Sequence, residues 1–233
     1  MIYVTGDTHG SLTMNKLSSD NFPQGKELTK DDYVIICGDF GLVWNNNGED
    51  YWWRHWLDEK PWTTLFVDGN HENFELLYQF PSQNKFGGVV RQVSDSIFHL
   101  TRGQVFTIDG LKIFTMGGAT SHDREIRRDY VTWWPQEMPN YAEYEEALYN
   151  LEQNKWKVDY ILTHCAPASI QKAISQYYEV DVLTLFLEQV AAQTSFKKWY
   201  FGHYHMDFCI QKFQCLYNNI ELIGGSDEVP FSE

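Results

Sequence analysis

Five times along this 233-residue chain, a β-rich run ends at a glycine or a turn and hands over to side chains able to bind metal ions. The junctions are Gly6-Asp7-Thr8-His9-Gly10, Gly38-Asp39, Gly69-Asn70-His71-Glu72, Thr163-His164 and Gly202-His203-Tyr204-His205. Such junctions converge readily in one architecture. At the open carboxyl edge of an α/β sheet, side chains from several strand ends reach a common crevice. A site drawing on positions 7 to 205 also needs both ends of the chain folded together, so a single domain over 1–233 is expected.

The intervening pattern agrees with that architecture. Runs at 2–5, 33–37 and 65–67 read as strands, and the mixed apolar and polar spacing at 11–19, 49–59 and 73–79 reads as surface helices. Strand and helix alternate, which predicts an α/β layered fold. From 97 onward short strands follow at 97–100, 104–108 and 111–116, the last two joined by Asp109-Gly110, a hairpin signal. This stretch reads as antiparallel sheet. A loop of about twenty residues follows Gly117-Gly118, and loops of that length are usually functional or mobile. Asn140 suits the N-cap of a helix over 140–154. A strand at 160–163, an amphipathic helix at 181–192 and strands at 199–201, 207–210, 214–218 and 220–223 complete the reading.

The formal charge of −14 sets an electrostatic limit on partners. Such a field repels polyanions, so long nucleic acids are disfavoured. The one basic cluster, Arg124, Arg127 and Arg128, suits a single small phosphate group. Cys37, Cys165, Cys209 and Cys215 show neither paired zinc spacing nor a disulfide framework and read as reduced, mostly packed thiols. The chain opens without a signal-peptide pattern, and no apolar run is long enough to span a bilayer. No membrane association and a cytoplasmic location are therefore expected.

Imidazoles mixed with carboxylates suit manganese, iron, zinc, cobalt or nickel better than calcium or magnesium. Asp7 and His9, one residue apart, can reach one ion, and His203 and His205 repeat that arrangement. Asp39 is the candidate bridging carboxylate. Two divalent ions bring four positive charges and two carboxylates cancel only two, so the cluster stays positive and draws in phosphate despite the acidic surface. Ions about 3.5–4 Å apart activate a bridging water and clamp both oxygens of an in-line displacement.

With these five blocks in this order, the chain resembles the calcineurin-like metallophosphoesterase superfamily, whose pattern runs D-x-H, G-D, G-N-H-[DE], H and G-H-x-H. The resemblance implies two mixed β-sheets packed face to face with helices outside. It implies that Asp7, His9 and His205 bind one metal, that Asn70, His164 and His203 bind a second, and that Asp39 bridges them. Manganese is the first expectation for the pair. His71 would lie over the substrate and act as general acid, a role matched to imidazole. The implied reaction is hydrolysis of a small phosphomonoester or phosphodiester, such as a nucleotide.

The Ser/Thr protein phosphatase branch carries G-D-x-x-D-R-G at the second block, where this chain has Gly38-Asp39-Phe40-Gly41-Leu42-Val43-Trp44. Leu42 and Val43 can neither support the catalytic histidine nor hold phosphate. The G-H-x-H ending looks more like the bacterial phosphodiesterase and small-phosphatase branches. A substitute clamp is expected in the long loop, where Arg124 or Arg127 would bind the substrate. A phosphoprotein phosphatase, a nuclease and a non-catalytic scaffold are the competing readings. Scaffold members generally lose ligands, and here the set is complete.

Overall fold

The computed structural model describes residues 1–224; positions 225–233 of the expected domain lie outside them. The apolar runs Ile2–Thr5 (β1), Tyr33–Cys37 (β2) and Thr63–Val67 (β3) pair in parallel. Near-continuous apolar sequence is what a strand covered on both faces requires. Ser82–Lys85 (β4) and Gly88–Ser94 (β5) form a hairpin, and β5 pairs antiparallel with Ile97–Leu100 (β6). The antiparallel expectation from 97 onward therefore holds on only one side of β6, because its other neighbour, β3, is parallel.

Gln104–Ile108 (β7), Leu111–Met116 (β8), Tyr160–Thr163 (β9), Lys198–Phe201 (β10), Phe208–Ile210 (β11) and Phe213–Cys215 (β12) build a second sheet in the order β11-β12-β10-β9-β8-β7. Asp109 and Gly110, at φ 49° and 78°, make the expected tight turn between β7 and β8. Ile220–Ile223 (β13) returns antiparallel to β1, giving the first sheet the order β13-β1-β2-β3-β6-β5-β4.

Alternate residues of each strand point to opposite faces, and this periodicity sorts the core into layers. Val4, Ile35 and Leu65 meet Phe106, Ile113, Leu162 and Tyr200 between the sheets. Val34, Ile36 and Phe66 face outward onto Gly48–Asp58 (α1) and Phe74–Leu77 (α2) through Leu57 and Phe74. Ile161 and Trp199 pack outward against Tyr141–Gln153 (α3) and Val182–Gln193 (α5) through Leu151, Leu187 and Val190, with Ala168–Ile174 (α4) beside them. Each large side chain so buried contributes about 1.5–3 kcal/mol of transfer free energy. The result is the expected α/β fold, with two mixed sheets packed as a sandwich between helices. Among the described residues no helix is long and apolar enough to cross a membrane.

Several expected elements differ in detail. The helix expected at 11–19 is two 3-10 turns, Gly10–Leu12 and Met14–Leu17. There the Thr13 hydroxyl bonds the carbonyls of Asp7 and Thr8, and Lys16 Nζ bonds those of Gly6, Asp7 and Tyr217, so side chains compete with helical pairing. The helix at 73–79 shrinks to the four residues of α2. The strand at 214–218 becomes β12, parallel to β10.

Candidate metal centre

The parallel strands β1, β2 and β3 deliver Asp7, Asp39 and Asn70 just past their carboxyl ends. From the other sheet β9 and β10 deliver His164 and the 203–205 segment. The two sheets meet where His164 Nδ1 donates to the Cys37 carbonyl at 2.9 Å. Glycines permit this approach: a Cβ at Gly202 would overlap the Asp7 carboxylate, and one at Gly38, whose φ is 96°, would overlap the His164 ring. His9, Asp39, His203 and His205 lack that freedom yet hold φ of 44°, 45°, 67° and 51°. Such backbone costs about 1–3 kcal/mol per residue and persists where the surroundings over-determine it, characteristically at functional sites.

Asp7, His9, Asp39 and His205 each place a ligand atom within 4.8 Å of the others. His205 Nε2 lies 3.1 Å from Asp7 Oδ2 and 2.8 Å from His9 Nε2. On the far side of Asp39, His164 Nε2 lies 3.1 Å from Asn70 Oδ1, and the His203 ring is 5.0 Å from that of His164. Asp39 turns one oxygen to each group: Oδ2 is 3.6 Å from His9 Nε2, and Oδ1 is 3.4 Å from His164 Nε2.

Hydrogen bonds around the cluster aim its lone pairs inward. His164 places its ring proton on Nδ1, facing the Cys37 carbonyl, and Nε2 then faces two oxygens. Asn70 Nδ2 donates to Ser121 Oγ at 3.0 Å, while Ser121 Oγ donates to Glu137 Oε2 at 2.5 Å. This relay turns Asn70 Oδ1 toward His164. Asp7 accepts the His203 amide at 3.0 Å and Asp39 accepts that of His71 at 2.7 Å. Nitrogen and oxygen atoms that converge in this way, with His164 Nε2 within 3.4 Å of two oxygens, fit divalent transition-metal cations.

The electrostatics point the same way. Burial opposes the charge on Asp39, but His164 and the neighbouring histidines outweigh it and hold the carboxyl well below its usual range. Burial also lowers the pKa of His164, yet Asp39 and Asp7 overcome this and push it up to about 10. The pocket thus attracts positive charge, whether a proton or a metal ion. Burial keeps His9 below its ordinary value despite Asp39 and Asp7, and burial with His164 holds His203 well below. Neutral imidazoles leave a lone pair free to coordinate.

His71 lies beside the group, its ring 5.2 Å from that of His9. Arg127 Nη2 is 2.6 Å from His71 Nε2, and the same guanidinium bonds Asp123 at 2.6 Å. Burial lowers the pKa of His71, Asp39 opposes this and Arg127 adds to it. Arg124 is placed elsewhere: it pairs with Asp129 at 2.5 Å and lies 3.7 Å over the Trp133 ring. Of the two expected arginines, Arg127 alone contacts the group in these interactions.

Three contributors carried no sequence signal of their own. Ser121 and Glu137 support Asn70 from 51 and 67 positions away. Lys16 Nζ clamps the backbone of Asp7 at 2.7 Å, its pKa lowered to about 8 by burial. Glu72, whose place in the third block was visible, accepts the Phe40 amide at 2.7 Å, and burial together with Asp39 pushes its carboxyl well above the usual range.

Residues 1–223 match the family described as calcineurin-like phosphoesterase. The chain is 26% identical over 188 residues to the lariat debranching enzyme of Danio rerio, covering 72% of this chain and 31% of that protein. It is 28% identical over 190 residues to lariat debranching enzyme A of Xenopus laevis, covering 72% of this chain and 33% of that protein. The lariat debranching enzyme of Gallus gallus is 24% identical over 212 residues, covering 83% and 38%. The chain therefore spans about a third of the length of these relatives, at 31%, 33% and 38%. Five junctions bearing metal-capable side chains at the strand ends of a two-sheet sandwich and a match across nearly the whole length agree: the chain belongs to the calcineurin-like phosphoesterase family.

Proposed function

We propose that this chain is a dinuclear metal-dependent phosphoesterase that hydrolyses a small phosphomonoester or phosphodiester, working as one domain. The observation that carries the reading is the placement of Asp39, whose Oδ2 and Oδ1 lie 3.6 and 3.4 Å from histidines on opposite sides. Asp7, His9 and His205 would hold one ion and Asn70, His164 and His203 the other, with Asp39 shared. Manganese is the first choice for both. When bound, the ions supply electrophilic charge and an activated water.

The chain's own residues do the rest. Arg127, beside His71, presents a guanidinium to the non-reacting phosphate oxygens. His71 gives a ring N–H proton to the leaving oxygen as its bond to phosphorus breaks, and a depressed pKa makes it the stronger acid. The Asp39 carboxylate, through the His71 amide, fixes the loop that carries this acid. The net charge of −14 favours a small substrate over a long polyanion. Similarity to enzymes named for debranching lariats favours testing diesters beside monoesters.

The test is hydrolysis of bis-(p-nitrophenyl) phosphate and p-nitrophenyl phosphate with manganese by wild type, Asp39→Asn and His71→Ala. Wild type should turn over at least one ester, and loss of His71 should cost about 10²–10⁴-fold. Equal rates in all three proteins would remove the proposal.

A further inference from the structure

We infer that a cleft continuous with the metal centre holds the leaving group, and that it selects a neutral, hydroxylated, ring-bearing alcohol of the nucleoside class. The inference rests on the phosphoesterase reading. The cleft, of about 260 Å³, is lined by His9 and His71 at one end and by Leu12, Trp44, Asn45 and Glu49 beyond them. His71, the proposed acid for the leaving oxygen, thus borders the space that would receive the leaving alcohol.

The wall that carries Trp44 is held firmly. Asp50 Oδ2 accepts the amides of Trp44, Asn45 and Asn46 at 3.1, 2.8 and 2.7 Å. Asn73 Nδ2 donates to the Trp44 carbonyl at 2.9 Å, and Arg54 Nη1 to that of Leu42 at 2.8 Å. The Trp44 ring meets Trp134 edge-on at 5.4 Å. Leu12, 81% exposed, forms an apolar lip at the mouth of the same cleft. A fixed indole and an apolar lip suit a flat ring, because stacking on a preorganised aromatic loses little freedom.

Charge decides what else the ring carries. The N-terminus of α1 borders the cleft, but Asn47 Oδ1 already takes its amides at Glu49 and Asp50, at 3.0 and 3.1 Å. The carboxylate of Asp50 is engaged by three amides. Among the described residues no lysine or arginine lines the space, and Glu49 is exposed beside it. Beyond His71, whose neighbour Arg127 serves the scissile phosphate, an alcohol bearing phosphate or carboxylate faces the Glu49 carboxylate, whereas sugar hydroxyls find acceptors in Glu49 and Asn45.

The test compares kcat/KM of the full manganese-loaded chain for adenosine monophosphate, glycerol phosphate and phosphoglycolate, whose leaving alcohols are a nucleoside, a small polyol and a carboxylate. Wild type should favour adenosine monophosphate. Trp44→Ala should cut the nucleoside-to-glycerol preference about tenfold, and Trp44→Phe should keep it. Glu49→Lys should shift the preference toward phosphoglycolate about fivefold. Binding of adenosine alone, followed by ligand-observed NMR, reads the cleft without turnover and should weaken in Trp44→Ala. Unchanged preferences and unchanged adenosine binding in all variants overturn the inference while leaving phosphoesterase activity standing. Absence of any hydrolysis by wild type would count against the parent reading, and the adenosine signal would still decide the cleft.

Discussion

Replacing Arg102 by Met removes the strongest partner of a buried carboxylate. Asp68 and Arg102 are 1% and 3% exposed, and Arg102 Nε and Nη2 reach Asp68 Oδ2 at 2.8 and 2.5 Å. Afterwards, among the described residues, only His99, at 2.9 Å, still bonds the Asp68 side chain. Breaking a buried pair from one side costs about 3–5 kcal/mol, and burial on both sides leaves no solvent screening to reduce it. For a chain of this size that lowers the melting temperature by roughly 6–20 °C. Burial raises the Asp68 pKa, but Arg102 and His99 outweigh it and hold the carboxyl low. A depressed carboxyl stabilises the fold above its unfolded pKa, near 4, and loses that contribution as pH falls through the folded value. The gap between wild type and variant should therefore be full at neutral pH and narrow as pH falls below about 4. Calorimetric melts across that range measure it, and adding Asp68→Asn should recover much of the neutral-pH loss. A deficit under about 1 kcal/mol, or a double variant no better than the single, refutes the account of a charge stranded in the core.

Further expectations concern the site and the thiols. Ser121→Ala frees the Asn70 amide to rotate and should weaken the ion proposed at Asn70, His164 and His203 about 10–100-fold in a chelator competition, with Ser121→Thr retaining affinity. Arg127→Ala should raise KM. It also removes one cause of the lowered His71 pKa, so the alkaline limb of the pH–rate profile, where His71 loses its proton, should move to higher pH. Cys37, Cys165 and Cys215 are buried with raised pKa values, burial being the main cause, and Cys209 is exposed. A thiol reagent should therefore modify one cysteine in the folded chain and four in denaturant.

The strand-end blocks were readable because their signal is local: an apolar run, a glycine or a turn, and a metal-capable side chain occupy adjacent positions. Convergence followed from topology, since β1, β2 and β3 run parallel, as do β8, β9 and β10. The β4–β5 hairpin escaped notice because Ser82-Gln83-Asn84-Lys85 is a polar edge strand without apolar alternation, and its turn holds Phe86 at φ 57°. At 11–19 the apolar spacing imitates a helix, whereas Thr13 and Lys16 bond carbonyls near Asp7 instead. Contacts such as Arg127 to His71, across 56 positions, leave no local trace. The loop that carries Arg127 stood out by its length, but pairing with Asp129 drew Arg124 away from the site.

Anomalous diffraction from a crystal of the full chain grown in manganese addresses the central claim directly. Two peaks flanking Asp39 are expected, one among Asp7, His9 and His205 and the other among Asn70, His164 and His203. A single peak at saturating manganese, or peaks away from Asp39, would contradict a shared carboxylate between two ions.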